Sequence, residues 1–443
     1  MPKNNLFQTI LITVFIVGAV FAVMIFAGII NIGGKPQGAA AVSGTVTIWG
    51  TLPKEKLVPL TQEFHTAYTN LSLVYEEHDS NTFESDLIEA LAAGKGPDLV
   101  FLPDNAVLRL SDKLFHVPFT NYPELNFRQT YVTEGDLFLA KDGVLGFPAV
   151  LDPLVMYYNT DVLDSAGIAN PPKNWTELST MIPSLVQKNT NTNTIARSAI
   201  ALGEYVNVEN AKSIFAALLL QSGDQIVGPV RDSYGSVLKN PTPLGDTVAE
   251  TITSFYTQFA DPVNELYSWH RALPNSRDQF IRGKLAIYFG FGSELDAIRA
   301  ANPNMRFDVA QFPQIKDYPT SVTFGRINAL AVMKNSQNIP AAYTVATLLT
   351  NSTYDMKLSS IFSLPPTRRD LLNTKPSESG LSYLSTFYNS ALIARGWLDP
   401  DSSKSESIFK TLIEGALSGQ KISLLVAQAD GQLNQLVAQA IYK

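Results

Sequence analysis

Residues Ile10 to Ile30 form an uncharged apolar run of 21 residues, and more than 400 water-compatible residues follow it. As a helix rising about 1.5 Å per residue, such a run spans roughly 31 Å, which matches the hydrocarbon core of a bilayer. The rest of the chain is therefore expected to work at a membrane. Positive charge ahead of the run comes from Lys3 and the amino terminus, so residues 1–9 should stay cytoplasmic and the remainder should be exported. A cleaved signal peptide is the competing reading, because Ala39-Ala40-Ala41 offers the small residues a signal peptidase accepts. A signal core usually has only about 7–15 apolar residues, which favours an uncleaved anchor over 10–30. The chain has no cysteine, so no lipidated thiol can replace that anchor.

The exported part keeps all 40 acidic residues and all but one of the 33 basic ones, a net charge of about −8. That balance suits solubility and argues against a nucleic-acid partner. Its length predicts two or three domains. The missing cysteines exclude a disulfide framework, a thiolate metal site and a cysteine nucleophile together. Aromatic residues are 10% of the chain, enough to supply a ligand site, although core packing is the usual fate of most rings.

Residues 31–43 are small and Gly-rich and read as a linker. Thr45 to Trp49 reads as a first strand, and Leu57, Leu60, Phe64 and Tyr68 recur at helical spacing. Leu71 to Tyr75 returns to strand, Phe83, Leu87, Ala90 and Leu91 mark a second helix, and Leu99 to Leu102 is a buried strand. Strand–helix–strand–helix–strand with short links predicts a parallel sheet covered by helices. The same grammar restarts after Gly143, with a strand at Leu154 to Tyr158 and a helix from Trp175 that Asn174 and Glu177 are spaced to cap. Further on come a helix at Ser213 to Leu220, a strand at Leu285 to Phe289, a helix at Pro340 to Leu349 and helical sequence from Ser407. Two α/β units in tandem place a crevice between them, where small ligands commonly bind.

From Thr45 onward the chain resembles the extracellular solute-binding proteins of ABC importers, in the large family that includes the maltose-binding type. The resemblance rests on the order of several motifs. Ile48-Trp49 ends the first strand, and Ala92-Ala93-Gly94-Lys95-Gly96-Pro97-Asp98-Leu99-Val100 is similar to the family's strand entry. Gly146-Phe147-Pro148, Met156-Tyr157-Tyr158-Asn159-Thr160-Asp161 and the segment from Ala166 to Leu178 follow. Phe280-Ile281-Arg282-Gly283-Lys284-Leu285-Ala286 and the late turn Leu364-Pro365-Pro366-Thr367-Arg368 complete the series. The resemblance implies a two-lobed α/β fold of the periplasmic-binding-protein type, with two sheets and hinge crossovers, after one N-terminal transmembrane helix. Lobe 1 is expected over 44–148 and 312–362, and lobe 2 over 149–311 and 363–443. Crossovers are expected near Gly146–Asp152, Ala310–Pro313 and Ser363–Pro366. The family implies capture of a sugar or oligosaccharide by hinge closure, delivery to ABC permease subunits, and a monomer that uses no cofactor.

Loops at the C-terminal ends of sheet strands face the crevice, which nominates Trp49, Thr51, Asn81 and Thr82 as ligand contacts. Trp49 can equally pack under a helix, and Asn81 or Thr82 can equally cap one. The resemblance adds Asp104 and Asn105 after the Leu99–Leu102 strand, and Asp152 just past the first crossover, where an Asp-Pro turn is the alternative. Tyr157 and Tyr158 point to opposite faces of a strand, so at most one meets the crevice. Phe215 matches a position where relatives stack an aromatic on a sugar ring, although on an apolar helix core packing is favoured. Trp269 and Trp397 are further candidates for a stacking face, whereas Trp175 reads as structural. Two departures stand out. The family's late aromatic platform falls to Phe291 or is absent, and its Gly-Gly pair appears as Phe324-Gly325-Arg326. Arg326 at the crevice would suit an anionic ligand; a plain salt-bridge role is the alternative.

No other chemistry is selected. The four histidines are scattered without a His-Glu-x-x-His context, and neither a Gly-x-Ser-x-Gly elbow nor a phosphate-cradling loop occurs. Asp399-Pro400-Asp401 begins like a calcium loop, but Lys404 and Lys410 stand where glycine and glutamate are needed, so a turn is expected instead. An enzyme is not expected, a glycosidase being the least favoured reading. A membrane-tethered sensor, or a binder of an anionic or polyamine solute, is the alternative to sugar uptake.

Overall fold

The computed structural model describes residues 42–441, apart from 193, 232, 244 and 375–381. The Ile10–Ile30 run lies outside the described residues, and among those described no helix is long and apolar enough to cross a membrane. Ten strands form one sheet. In chain order they are β1 (Gly44–Gly50), β2 (Leu71–Glu77), β3 (Leu99–Pro103), β4 (Phe147–Asn159) and β5 (Gln187–Lys188). Then come β6 (Ile195–Ile200), β7 (Leu285–Phe291), β8 (Phe307–Gln311), β9 (Thr323–Val332) and β10 (Ala394–Arg395). Their order across the sheet is β2-β1-β3-β9-β4-β7-β6-β5, with β8 on β4 and β10 on β9.

The two-sheet, parallel expectation is corrected. β1 and β3 are parallel, as are β7 and β6, but β9 lies antiparallel to both β3 and β4, and β4 antiparallel to β7 and β8. Continuity comes from β4, whose 13 residues reach about 43 Å at roughly 3.3 Å each. All of them except Tyr158 are buried, so the run is largely apolar rather than alternating, with Asp152 and Asn159 its buried polar residues. Prolines are unusual in a central strand because they lack the N–H a ladder needs. Pro153 is accommodated because pairing changes partner there: β4 bonds β9 up to Pro153 and β7 and β8 from Leu154 onward.

Two hydrophobic cores lie along this sheet. The first joins residues 46–151 with the stretch from Ile327 to Leu358 and with Leu372, Tyr388, Ala391 and Ala394. The second holds Leu154 through Phe324, with Phe387 and the chain from Trp397 to Val437. Membership changes at Leu151–Leu154, Phe324–Ile327 and Ala394–Trp397. β8 pairs with β4 on the second core, and beyond Pro366 the residues Leu372, Tyr388, Ala391 and Ala394 pack on the first while Phe387 packs on the second.

Six helices position the site: α1 (Lys54–Ala67), α2 (Phe83–Ala92), α3 (Trp175–Leu185), α4 (Ala211–Gln221), α5 (Leu295–Ala301) and α6 (Ser402–Leu417). The α3 entry forms as its spacing predicts, with Asn174 Oδ1 accepting the Glu177 N–H at 2.9 Å. Trp175 locks this helix inward by donating from Nε1 to Gln221 Oε1 at 2.8 Å.

Candidate ligand-binding site

A cleft of about 1790 Å³ runs between the two cores. Four helices, α1, α2, α4 and α6, bring their first turns to its walls, so backbone N–H groups and the positive ends of helix dipoles face it. Its floor is made where β4 and β9 pass from one core to the other, and Asp152 and Arg326 are paired there in register.

Seven of the expected contact residues line this cleft: Thr51, Asn81, Asp104, Asn105, Asp152, Arg326 and Trp397. The other seven do not. Trp49 packs on the His78 ring, 4.1 Å between centroids, and Thr82 Oγ1 donates to Asp86 at 2.9 Å. Tyr157, Phe215 and Trp269 are fully buried in the second core. The Tyr157 hydroxyl donates to the Phe291 carbonyl at 2.6 Å, Phe215 packs against Tyr256 and Phe409, and Trp269 Nε1 donates to Asn207 Oδ1 at 3.0 Å. Phe291 is buried behind Arg326, and Gly325 is buried against Glu134. Tyr157, Phe215 and Trp269 are thus core residues rather than ligand contacts. An aromatic at helical or strand spacing carries the same signature in either role.

Of the two readings of Arg326, cleft cation or salt-bridge partner, the geometry combines both. Arg326 Nη2 donates to Asp152 Oδ2 at 2.9 Å, and Asp152 also takes the Ser293 N–H at 3.0 Å and its hydroxyl at 2.6 Å. Two further cations at the cleft are matched in the same way. Lys212, in the first turn of α4, donates to Asp399 at 2.5 Å, and Arg109 Nε donates to Glu84 at 2.8 Å. Lining carboxylates outnumber lining Lys and Arg residues eight to five, a balance that disfavours an anionic ligand.

Lys212, Asp399, Glu84 and Arg109 were not nominated from the sequence. A lone lysine opening an otherwise apolar helix was the available signal for Lys212. Asp399 belongs to the segment that resembles a calcium loop only at its start. There Asp399 accepts the Asp401 N–H at 3.2 Å, and Asp401 caps α6 through the Lys404 N–H at 3.1 Å, which is the expected turn. Among the described residues no group of three His, Asp or Glu side chains is placed to hold a metal ion.

Residues 60–380 match the family of bacterial extracellular solute-binding proteins, which is most of the chain. The protein belongs to that family. The diacetylchitobiose binding protein DasA of Streptomyces coelicolor is 23% identical over 426 residues, covering 92% of this chain and 93% of its own. Two solved structures carry the fold. The cyclic α-maltosyl-1,6-maltose binding protein of Arthrobacter globiformis has a TM-score of 0.73 at 16% identity, covering 90% of this chain and all of its own. The sugar-binding protein MalE of Xanthomonas citri has a TM-score of 0.70 at 17% identity, covering 90% and 98%. The architecture is therefore the α/β periplasmic-binding-protein-like one, and the solute-binding protein works outside the cell.

Two buried carboxyls of this solute-binding protein, Asp104 in the cleft wall and Glu134 outside the lining, carry an unusual electrostatic load. Burial, and then the nearby Asp399 charge, push Asp104 from 3.8 up to about 7, against the pull of Arg326. Burial holds the Glu134 carboxyl far above the ordinary range, the Asp104 charge adding to it, and neither Glu134 oxygen has a hydrogen-bond partner. A raised carboxyl pKa means that the native state keeps a proton which the unfolded chain gives up. Asp104 therefore contributes stability below about pH 4, and that contribution is lost as pH rises to about 7, at up to about 1.4 kcal/mol per pH unit. Asp104→Asn is expected to flatten this segment of the stability curve and to raise the melting temperature above pH 7. Parallel melting curves for wild type and variant from about pH 4 to 8 would refute the assignment.

Proposed function

We propose that this solute-binding protein captures a sugar or oligosaccharide in its cleft, closes on it, and hands it to the membrane subunits of an ABC importer. The observation that carries the reading is the cleft's make-up. Carboxylates, amides and the first turns of helices line it together, so acceptors and donors are both at hand, and hydroxyl groups need both. The relatives point the same way, since diacetylchitobiose and the cyclic maltosyl-maltose are both saccharides. The two cores behave as lobes, with the passages at Leu151–Leu154, Phe324–Ile327 and Ala394–Trp397 serving as hinges. Hinge closure requires a ligand that binds the closed form better than the open one, so the solute touches both lobes. On sequence grounds the Ile10–Ile30 run tethers the protein, as a monomer, to the outer face of the membrane that holds its permease.

The test is a thermal-shift screen of the exported part against neutral oligosaccharides, uronates, polyamines and amino acids. A neutral oligosaccharide at 100 times its dissociation constant is expected to add about 2.7 kcal/mol of stability. Small-angle scattering should show the radius of gyration fall in the same samples. Stabilisation by charged compounds alone would overturn the sugar assignment, and an unchanged shape with a bound ligand would overturn closure.

A further inference from the structure

Among the described residues, the aromatic rings in the cleft wall are mostly withdrawn. Phe83, Tyr205, Phe324 and Trp397 line it with 2%, 5%, 7% and 3% of their surface exposed. Phe362 is half-buried, and the Lys56 ammonium sits over its ring at 5.5 Å. What the cleft does expose is a flat cation. The Arg326 guanidinium carbon stands 3.5 Å from the centroid of the Phe291 ring, which is carbon–carbon contact distance and places the group face-on to the ring. Phe291 is itself 1% exposed, so the stack has a rigid base. One edge of the guanidinium is held by Asp152, which Ser293 fixes in turn. The side chain is still 48% exposed and lines the cleft, with one face on Phe291 and one edge on Asp152.

We propose that the Arg326 guanidinium, laid flat on Phe291, is the platform on which a ring of the ligand rests, in place of an aromatic side chain. The assignment rests on the saccharide reading above and says which surface selects the sugar. A guanidinium is planar and stacks as an aromatic does, while its edge N–H groups donate in fixed directions. Apolar C–H faces of a sugar ring pack on the plane, and hydroxyls at the ring's margin accept from the edge. Because Asp152 neutralises the charge locally, the platform takes neutral rings and gives no premium to uronates. Its place on a central strand, and not on a loop, holds it to the geometry that stacking demands.

Two substitutions separate plane from charge. Arg326→Lys keeps the cation and removes the plane, and Arg326→Tyr keeps a plane and removes the cation. Each is titrated calorimetrically with maltotetraose, mannotriose and diacetylchitobiose, after its unliganded melting confirms folding. For whichever saccharide the wild type binds, the lysine variant is expected to lose about tenfold or more in affinity and the tyrosine variant to stay within about threefold. The reverse pattern, or equal loss in both, would assign Arg326 to charge or hydrogen bonding and overturn the platform. If Arg326→Tyr does not fold, Arg326→Lys alone decides, since unchanged affinity there is enough to overturn it. A wild type that binds none of the three, but is stabilised by another class of solute, removes the saccharide reading and this inference with it.

Discussion

Trp269→Ala is expected to cost about 3–5 kcal/mol of folding stability, the usual range for emptying a large aromatic site in a core. Trp269 is fully buried in the second core, and its Nε1 donates to Asn207 Oδ1 at 3.0 Å. The same Asn207 donates from Nδ2 to the carbonyls of His270 and Leu273, at 3.0 and 2.8 Å, so the tryptophan anchors a loop as well as filling space. Truncation leaves a cavity and an amide oxygen without its donor, and both effects destabilise. Urea denaturation followed by circular dichroism measures the loss directly. A variant with wild-type stability and weakened saccharide binding would return Trp269 to the ligand site and contradict its placement in the core.

Gly325→Ala is expected to destabilise by about 1–3 kcal/mol or more through overpacking at a rigid crossing point. A Cβ built on Gly325 would meet Glu134 Oε2 at 2.0 Å and its Cδ at 2.7 Å. Gly396 borders the same carboxyl, since a Cβ built there would stand 3.2 Å from Glu134 Oε1. Two glycines thus leave the space that one buried carboxyl fills. The second half of the prediction is a rescue. Adding Glu134→Ala to Gly325→Ala should recover much of the loss, giving a coupling energy of about 0.5–3 kcal/mol in a double-mutant cycle. Stability changes that simply add within about 0.5 kcal/mol would mean the clash does not limit this position.

Much of the architecture is legible in the chain. The apolar runs at Leu99–Leu102, Leu154–Tyr158 and Leu285–Phe289 are strands, and the helices at Trp175 and Pro340 sit where their spacing puts them. Strand direction was legible for the parallel β1–β3 pair but not for β9. A strand buried on both faces is apolar throughout whether its neighbours run parallel or antiparallel, so the antiparallel placement of β9 between β3 and β4 left no local mark. The later core changes follow from where β9 and β10 pair, at Thr323–Ala394 and Phe324–Arg395, which is a long-range choice. Thr51 was legible as a cleft residue because loops at the C-terminal ends of strands face the crevice, and Asp104 and Asn105 through the family resemblance.

From the residues alone came the alternation of strands and helices, the acidic and cysteine-free character, and the ordered motifs of a solute-binding family, because all of these depend on neighbours in sequence. Only the folded chain decided which rings are core and which charges are already answered. Phe215 and Trp269 disappear into packing, and Arg326 finds Asp152 174 positions away along the chain. The physical reason is range: periodicity and capping act within a few residues, whereas burial and charge pairing depend on partners that the sheet brings together from distant parts of the sequence.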